Sequence, residues 1–279
     1  MQISNPIAIA PVDRDISFDA ADFQRVRTLI RAKAGIDLNP GKQNMVYGRL
    51  SRRLRECGHN SFRSYLDSLQ RDSDPEWQEF INCLTTNLTS FFREAHHFEM
   101  LAEELRKGGP VPWRIWSCAA STGEEPYSIA ITAVEALGSG QRVSIDASDI
   151  DTRVLASARN AVYATESASA LGESRLRRFF LKGSGANAGQ ARVKPELRSM
   201  VSFRPFNLLS PRWDVGPYDA VFCRNVMIYF DRATQRQVLE RLHASMRPQG
   251  MLFVGHSENF ADHRDLFQLV GKTAYRRAG

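Results

Sequence analysis

Trp116-Ser117-Cys118-Ala119-Ala120-Ser121-Thr122-Gly123-Glu124-Glu125-Pro126-Tyr127 follows an apolar run from Val111 to Trp116. It opens a segment in which Ile129, Ala130, Ala133, Val134 and Leu137 share one helical face. The order is strand, small-residue loop, helix. Small residues from Ser117 to Gly123 let the backbone turn sharply and approach a ligand closely. A doubly wound α/β sheet builds its nucleotide site this way, with the ligand at the carboxyl edge of the strands. The loop lacks Gly-x-Gly-x-x-Gly, and it sets Glu124 and Glu125 where a pyrophosphate would lie. Two carboxylates favour the positive end of a helix but repel phosphate. They suit a ligand that carries a cation and no phosphate. S-adenosylmethionine, with its ammonium and sulfonium, has that chemistry. A plain strand-to-helix turn with capping acids is the competing reading of this loop.

The chain has 279 residues, enough for one large or two modest domains, each with its own core. Its apolar fraction of 43% and charged fraction of 24% are ordinary for a globular protein. No apolar run nears the roughly 18 residues a bilayer span needs. Met1 to Val12 carries no basic segment, so no signal peptide is expected. Cys57, Cys83, Cys118 and Cys223 stand far apart and read as reduced, mostly buried thiols of a cytosolic protein, with no metal site. A net charge of +6 points to an acidic partner, whether nucleic acid, an anionic membrane surface or an acidic protein.

Periodicity predicts a small helical domain over 1–85. Asp19 caps a helix carrying Phe23, Val26, Leu29 and Ile30, with Gly35 as its stop. A second helix over 42–57 gathers Val46, Tyr47, Leu50, Leu54 and Cys57 on one side. Lys42, Arg49, Arg52 and Arg53 occupy a separate arc, with Arg55 beyond its edge. That arc is either a solvated face or a docking face for an acidic helix or nucleic acid. No aromatic residue interleaves with these arginines, which argues against single-strand nucleic-acid binding by stacking. Ser61 caps a segment with Phe62, Tyr65, Leu66 and Leu69. Asp74-Pro75 starts a fourth helix with Trp77, Phe80, Ile81 and Leu84, Pro at its first position.

Residues 86–279 read as the second domain. The polar stretch Thr85 to Glu94 is a link in which Thr89 or Ser90 caps the helix of Phe98, Leu101 and Leu105, and Gly108-Gly109-Pro110 stops it. Val143 to Ala147 is a second strand. Asp149 at its end is placed to accept from ribose hydroxyls, while Asp151 caps the next helix. The region of about 179–203, with a Gly-rich turn at Lys182 to Gly189, reads as an antiparallel insertion. Its open edge either pairs with a peptide or is a surface excursion. Met200 to Phe206, Tyr218 to Cys223 and Met251 to Gly255 complete the strands of the sheet, with a closing pair at Leu266 to Val270 and Thr273 to Arg276. Asn207 and Asn225 fall at strand carboxyl ends, where an amide offers the donor and acceptor that an adenine edge requires.

With these segments placed, the chain resembles the CheR family of chemotaxis-receptor methyltransferases along essentially its whole length. The resemblance rests on Asn87-Leu88-Thr89-Ser90-Phe91-Phe92-Arg93, on the Cys118 to Tyr127 loop, and on Cys223-Arg224-Asn225-Val226-Met227-Ile228-Tyr229-Phe230. It implies an α/β enzyme: a helical N-terminal domain, then a Rossmann-like methyltransferase domain bearing the β insertion. It implies transfer of a methyl group from S-adenosylmethionine to glutamate carboxylates on cytoplasmic receptor helices, with S-adenosylhomocysteine as product. By the same resemblance Asn87, Thr89 and Arg93 reach the cofactor, Glu124 holds its ammonium and Asp149 its ribose. Asn207, Leu208 and Asn225 frame the adenine with Arg224 beside them, and Arg93 and Tyr229 lie nearest the reacting methyl. Arg49, Arg52, Arg53 and Arg55 dock the receptor helix, and Lys182, Gly183, Gly185 and Arg192 lie where some members bind a receptor C-terminal pentapeptide. Those members tend to carry Arg-Gly-x-Gly, and Lys182-Gly183-Ser184-Gly185 keeps the charge without the bidentate fork. A monomer in the cytoplasm, recruited to membrane receptor arrays, is expected.

Such chemistry needs no general base, because a carboxylate with a pKa of about 4.3 is already ionised. Two other classes fit less well. An amino-directed nucleic-acid methyltransferase would carry Asp/Asn-Pro-Pro-aromatic where Arg224-Asn225-Val226-Met227 stands. A binding-only module would show degenerate key positions, and these are intact.

Overall fold

The computed structural model describes residues 16–69, 74–109, 111–138 and 142–279. The expectations for Met1 to Val12 and for Pro110 lie outside them. Four helices form the first unit: α1 (Ala20–Ala34), α2 (Gln43–Glu56), α3 (Phe62–Ser68) and α4 (Glu76–Leu84). Asp19 and Asp22 make a reciprocal capping box on α1, and Gly35 closes that helix in the left-handed region at φ 71°. Ser61 caps α3 by accepting from the Ser64 amide. Pro75 stands at the N-cap of α4, one place earlier than predicted, with the Asp74 carboxylate taking the Glu76 amide. Val26, Ile30, Val46, Leu50, Leu54, Phe62, Tyr65 and Phe80 are fully buried and form one core. Cys57 is exposed, so it is not part of that face.

The link corrects one expectation. Neither Thr89 nor Ser90 caps the next helix, α5 (His96–Arg106), whose N-cap is Ala95 with no side-chain bond. Phe92 and Glu94 have φ of 52° and 59°, left-handed values that no continuous right-handed helix tolerates. The chain therefore turns through 91–95 first.

The second unit runs β1 (Trp113–Ser117), α6 (Glu124–Leu137), β2 (Val143–Asp149), α7 (Thr152–Asn160), β3 (Val162–Ala164), α8 (Thr165–Ser169), α9 (Glu173–Phe179), β4 (Phe180–Lys182), β5 (Gln190–Val193), α10 (Pro195–Arg198), β6 (Val201–Pro205), β7 (Tyr218–Cys223), α11 (Arg232–Ala244), β8 (Met246–Val254), β9 (Phe267–Gly271) and β10 (Ala274–Arg277). Seven strands make one sheet in the order β6-β2-β1-β7-β8-β10-β9. The first five are parallel, and β10 and β9 close the edge antiparallel. Every residue of β7 is buried, as both faces of a central strand are covered. Alternation divides them: Ala220 and Phe222 join the core under α5 and α6, Val221 and Cys223 the core under α11.

β3, β5 and β4 form a separate antiparallel sheet. It recruits Val162–Ala164, which the sequence reading placed outside the insertion, and residues 201–203 belong to the main sheet instead. The short helices α8 and α9 were not foreseen.

The helical unit is fastened over the carboxyl edge of the sheet. Gln78 donates to the Ile150 carbonyl at 2.8 Å, Asn82 to Thr152 at 3.1 Å, and Arg31 pairs with Asp231. Ile150 and Tyr229 pack against the helical core. Among the described residues no helix is long and apolar enough to cross a membrane.

Candidate active site

Strand order reverses between β1 and β7, and the loops after these strands open a crevice there. The helical unit roofs it, giving a cleft of about 360 Å³, within the range of small-molecule sites. Its lining combines the link (Asn87, Leu88, Thr89, Arg93), the loop after β1 (Cys118, Ala119, Ser121, Glu125) and Asp149 with Asn207, Leu208, Arg224, Asn225 and Tyr229. Asn39, Lys42 and Met45 contribute from the helical unit.

Nine of the ten residues that the family resemblance places at cofactor and methyl line this cleft; Glu124 does not. Both acids are buried in the first turn of α6, but Thr122 donates to Glu124 at 2.6 Å within the loop. The next residue, Glu125, faces the cleft, accepting from Ser117 at 2.7 Å and from Arg224 at 2.8 Å. Burial raises the pKa of both acids. The acid on the wall is thus Glu125.

Asn207 lines the cleft and also braces it. Its side-chain amine donates to the Lys33 carbonyl at 2.8 Å, and its carbonyl accepts the Leu209 amide at 2.9 Å. These bonds tie the floor of the cleft to α1 and leave one amide proton and one carbonyl lone pair of Asn207 over. Asn87 likewise donates to Asp151 at 2.8 Å, so the link is tied to the α7 cap.

Asp149 sits as expected at the end of β2, accepting the Ser121 amide at 2.8 Å and the Asp151 amide at 2.9 Å. Burial lifts its pKa to about 6 despite those donors. Asp151 caps α7, as predicted.

Arg224, 5% exposed, is a brace. One arm meets Glu125; the other lies 3.3 Å from the Glu94 carboxylate and donates to the Arg93 carbonyl. Burial opposes the Glu94 charge, but Arg224 and the His256 amide outweigh it and hold its pKa low. Glu94, His96 and His97 bring metal-ligand atoms within 4.8 Å of one another. The Arg224 guanidinium already supplies a positive charge there, and burial keeps His97 neutral with a pKa of about 3. The Arg93 side chain folds back to the Leu88 carbonyl at 2.8 Å.

Sequence reasoning missed Glu258. Its buried carboxylate accepts the amides of Gly255 (2.6 Å), Asn225 (2.9 Å) and Met227 (2.8 Å), fixing the loop that carries Asn225 and Tyr229. Asn225 takes φ 56° there, and a Cβ on Gly255 would fall 2.2 Å from its side-chain nitrogen. A lone acid after a strand carries no signal of such a role.

The basic arc divides. Arg52 is 85% exposed and pairs only along its own helix with Glu56. Arg55 is exposed as well. Arg49 donates to the Thr85 carbonyl at 2.7 Å. Arg53 is 22% exposed and forks onto Glu76, which also accepts from the buried Tyr65 hydroxyl at 2.8 Å. Arg53 is therefore also an internal tie of the helical unit. On the small sheet Lys182, Gly185 and Arg192 are exposed. Gly183 is obligatory, since a Cβ would meet the Asn187 carbonyl oxygen at 2.0 Å.

A doubly wound sheet with a cleft at its switch point, lined by Glu125 and Asp149 as well as by Lys42, Arg93 and Arg224, has the architecture of a nucleoside-binding α/β enzyme. The chain belongs to the CheR methyltransferase family. That family's S-adenosylmethionine-binding domain matches residues 87–276 and its all-alpha domain residues 21–85. A chemotaxis protein methyltransferase 2 of Pseudomonas aeruginosa is 52% identical over 95% of this chain and 96% of its own length. A chemotaxis protein methyltransferase of Escherichia coli is 49% identical over 93% of this chain and 92% of its own. This protein is an S-adenosylmethionine-dependent methyltransferase.

Proposed function

We propose that the enzyme esterifies glutamate side chains on the cytoplasmic helices of chemoreceptors, as part of chemotaxis adaptation. The observation that carries this reading is the cleft itself: acids suited to a cationic nucleoside, and Arg93 and Tyr229 at the same opening. S-adenosylmethionine supplies a methyl carbon already activated by sulfonium, which departs as the neutral thioether of S-adenosylhomocysteine. Glu125 takes the ligand's ammonium and Asp149 its ribose hydroxyls, while Asn207, Leu208 and Asn225 bound the adenine. Asn87 and Thr89 hold the link against the ligand. The chain supplies no base, because the acceptor is ionised before it arrives. Its work is alignment, worth up to roughly 7–11 kcal/mol in ideal cases. Arg93, half-buried and turned back on Leu88, steers the carboxylate without a tight ion pair that would blunt it, and Tyr229 fixes the geometry.

Receptor docking falls to Arg49, Arg52 and Arg55, for which a net charge of +6 supplies long-range attraction to an acidic helix. The small sheet, with Lys182, Gly185 and Arg192 exposed, takes a receptor C-terminal peptide. The enzyme works as a cytoplasmic monomer recruited to receptor arrays. Mass spectrometry of receptor peptides after incubation with enzyme and S-adenosylmethionine tests the reading. One methylene mass added per modified glutamate is expected; addition at nitrogen, or at nucleic acid instead, would sink it.

A further inference from the structure

Seven large apolar side chains stand exposed among the described residues, and two of them, Leu88 and Ile228, line the cleft. Leu88 is 80% exposed, more than any other in that set; Ile228 is 50% exposed. A single exposed leucine means little. These two come from different segments and flank the residues assigned to the reaction: Leu88 accepts Arg93 on its carbonyl, and Ile228 adjoins Tyr229.

Both are held outward by well-anchored backbone. Beyond Leu88, Phe91 is buried edge-on to Tyr163 and Phe180, and the Phe92 amide donates to Ser128 at 3.0 Å. Around Ile228, Met227 is fully buried with its amide on Glu258, and Gln235 donates to the carbonyls of Met227 and Phe230. The backbone that carries each of them is thus tied on its flank. Lys42 and Arg93 line the same cleft, so the opening joins aliphatic and cationic groups. That complements a helix that presents a glutamate beside aliphatic or small neighbours.

We propose that Leu88 and Ile228 are specificity-determining residues that grip the apolar flank of the helix presenting the acceptor glutamate. The inference rests on the reading of the enzyme as a receptor methyltransferase. Packed against the acceptor helix, the two side chains also shed water from the carboxylate, which strengthens the electrostatics within.

The test uses the whole enzyme and receptor-bearing membranes, comparing wild type with Leu88→Ser, Ile228→Ser and Leu88→Met. Each serine variant is expected to raise the receptor KM by about fivefold or more, from the aliphatic burial it forfeits. Both side chains also line the cofactor cleft, so S-adenosylmethionine affinity should change by clearly less than the receptor KM, and Leu88→Met should restore most of the loss. An unchanged receptor KM overturns the proposal. Cofactor affinity falling in step with activity also overturns it, since the residues would then serve the nucleoside. Failure of wild type itself to label the receptor would instead overturn the parent reading, and the grip with it.

Discussion

The Arg224 guanidinium lies 2.8 Å from the Glu125 carboxylate inside the protein, and the same group reaches Glu94 and the Arg93 carbonyl. One buried cation therefore joins the cofactor wall to the link that carries Arg93. Removing it strands two carboxylates. Arg224→Met is expected to cost about 3–5 kcal/mol of stability, the usual result of breaking one side of a buried pair. Denaturant titration, with cofactor binding measured alongside, checks this; a loss below about 1 kcal/mol would place Arg224 among weak surface pairs.

Glu125 and Glu124 give a second contrast. Glu125→Gln should weaken S-adenosylmethionine binding by about tenfold or more, through the lost charge-assisted hydrogen bond and the unpairing of buried Arg224. Glu124→Gln should leave it nearly unchanged. Calorimetric titration of both variants distinguishes them, and the reverse order would return the ammonium to Glu124.

Asp149 makes binding depend on pH. Its folded pKa of about 6 lies above the ordinary carboxylate value of about 3.9, so it is protonated in the free enzyme below pH 6 and ionised above. Ribose hydroxyls donate to the ionised form. Affinity should fall as pH drops from 7 through 6, and Asp149→Asn should be weak throughout with that inflection gone. A flat wild-type profile between pH 5 and 7 would contradict the assignment.

Arg53 and Arg52 separate structure from docking. Arg53→Ala removes a forked, largely buried bond to Glu76 and should cost about 1.5–3 kcal/mol. Arg52→Ala should cost less than about 1 kcal/mol while raising the receptor KM. Thermal melts paired with receptor kinetics read both.

Most of the fold was legible because its determinants are local. Asp19, Ser61, Asp151 and Asp231 cap helices through amides two or three residues away, and β7 announces its central place by unbroken burial. The site was legible as a set of segments but not always as side chains. Adjacent acids in Gly123-Glu124-Glu125 look alike in sequence, and only the direction of the α6 axis chooses between them. Asn207 also bonds a carbonyl 174 positions away, and Arg53 a helix beyond the next one; no window along the chain contains either partner. The α5 start failed for the same reason, since buried Phe91 and the Phe92 amide fix the turn through tertiary contacts.

The central claim, methyl transfer to glutamate oxygen, is tested most directly with methyl-labelled S-adenosylmethionine, the enzyme and receptor-bearing membranes. Label should enter the receptor bands, leave as methanol in alkali, and vanish when the acceptor glutamates are replaced. Alkali-stable label, or label that persists without those glutamates, would contradict carboxyl methylation.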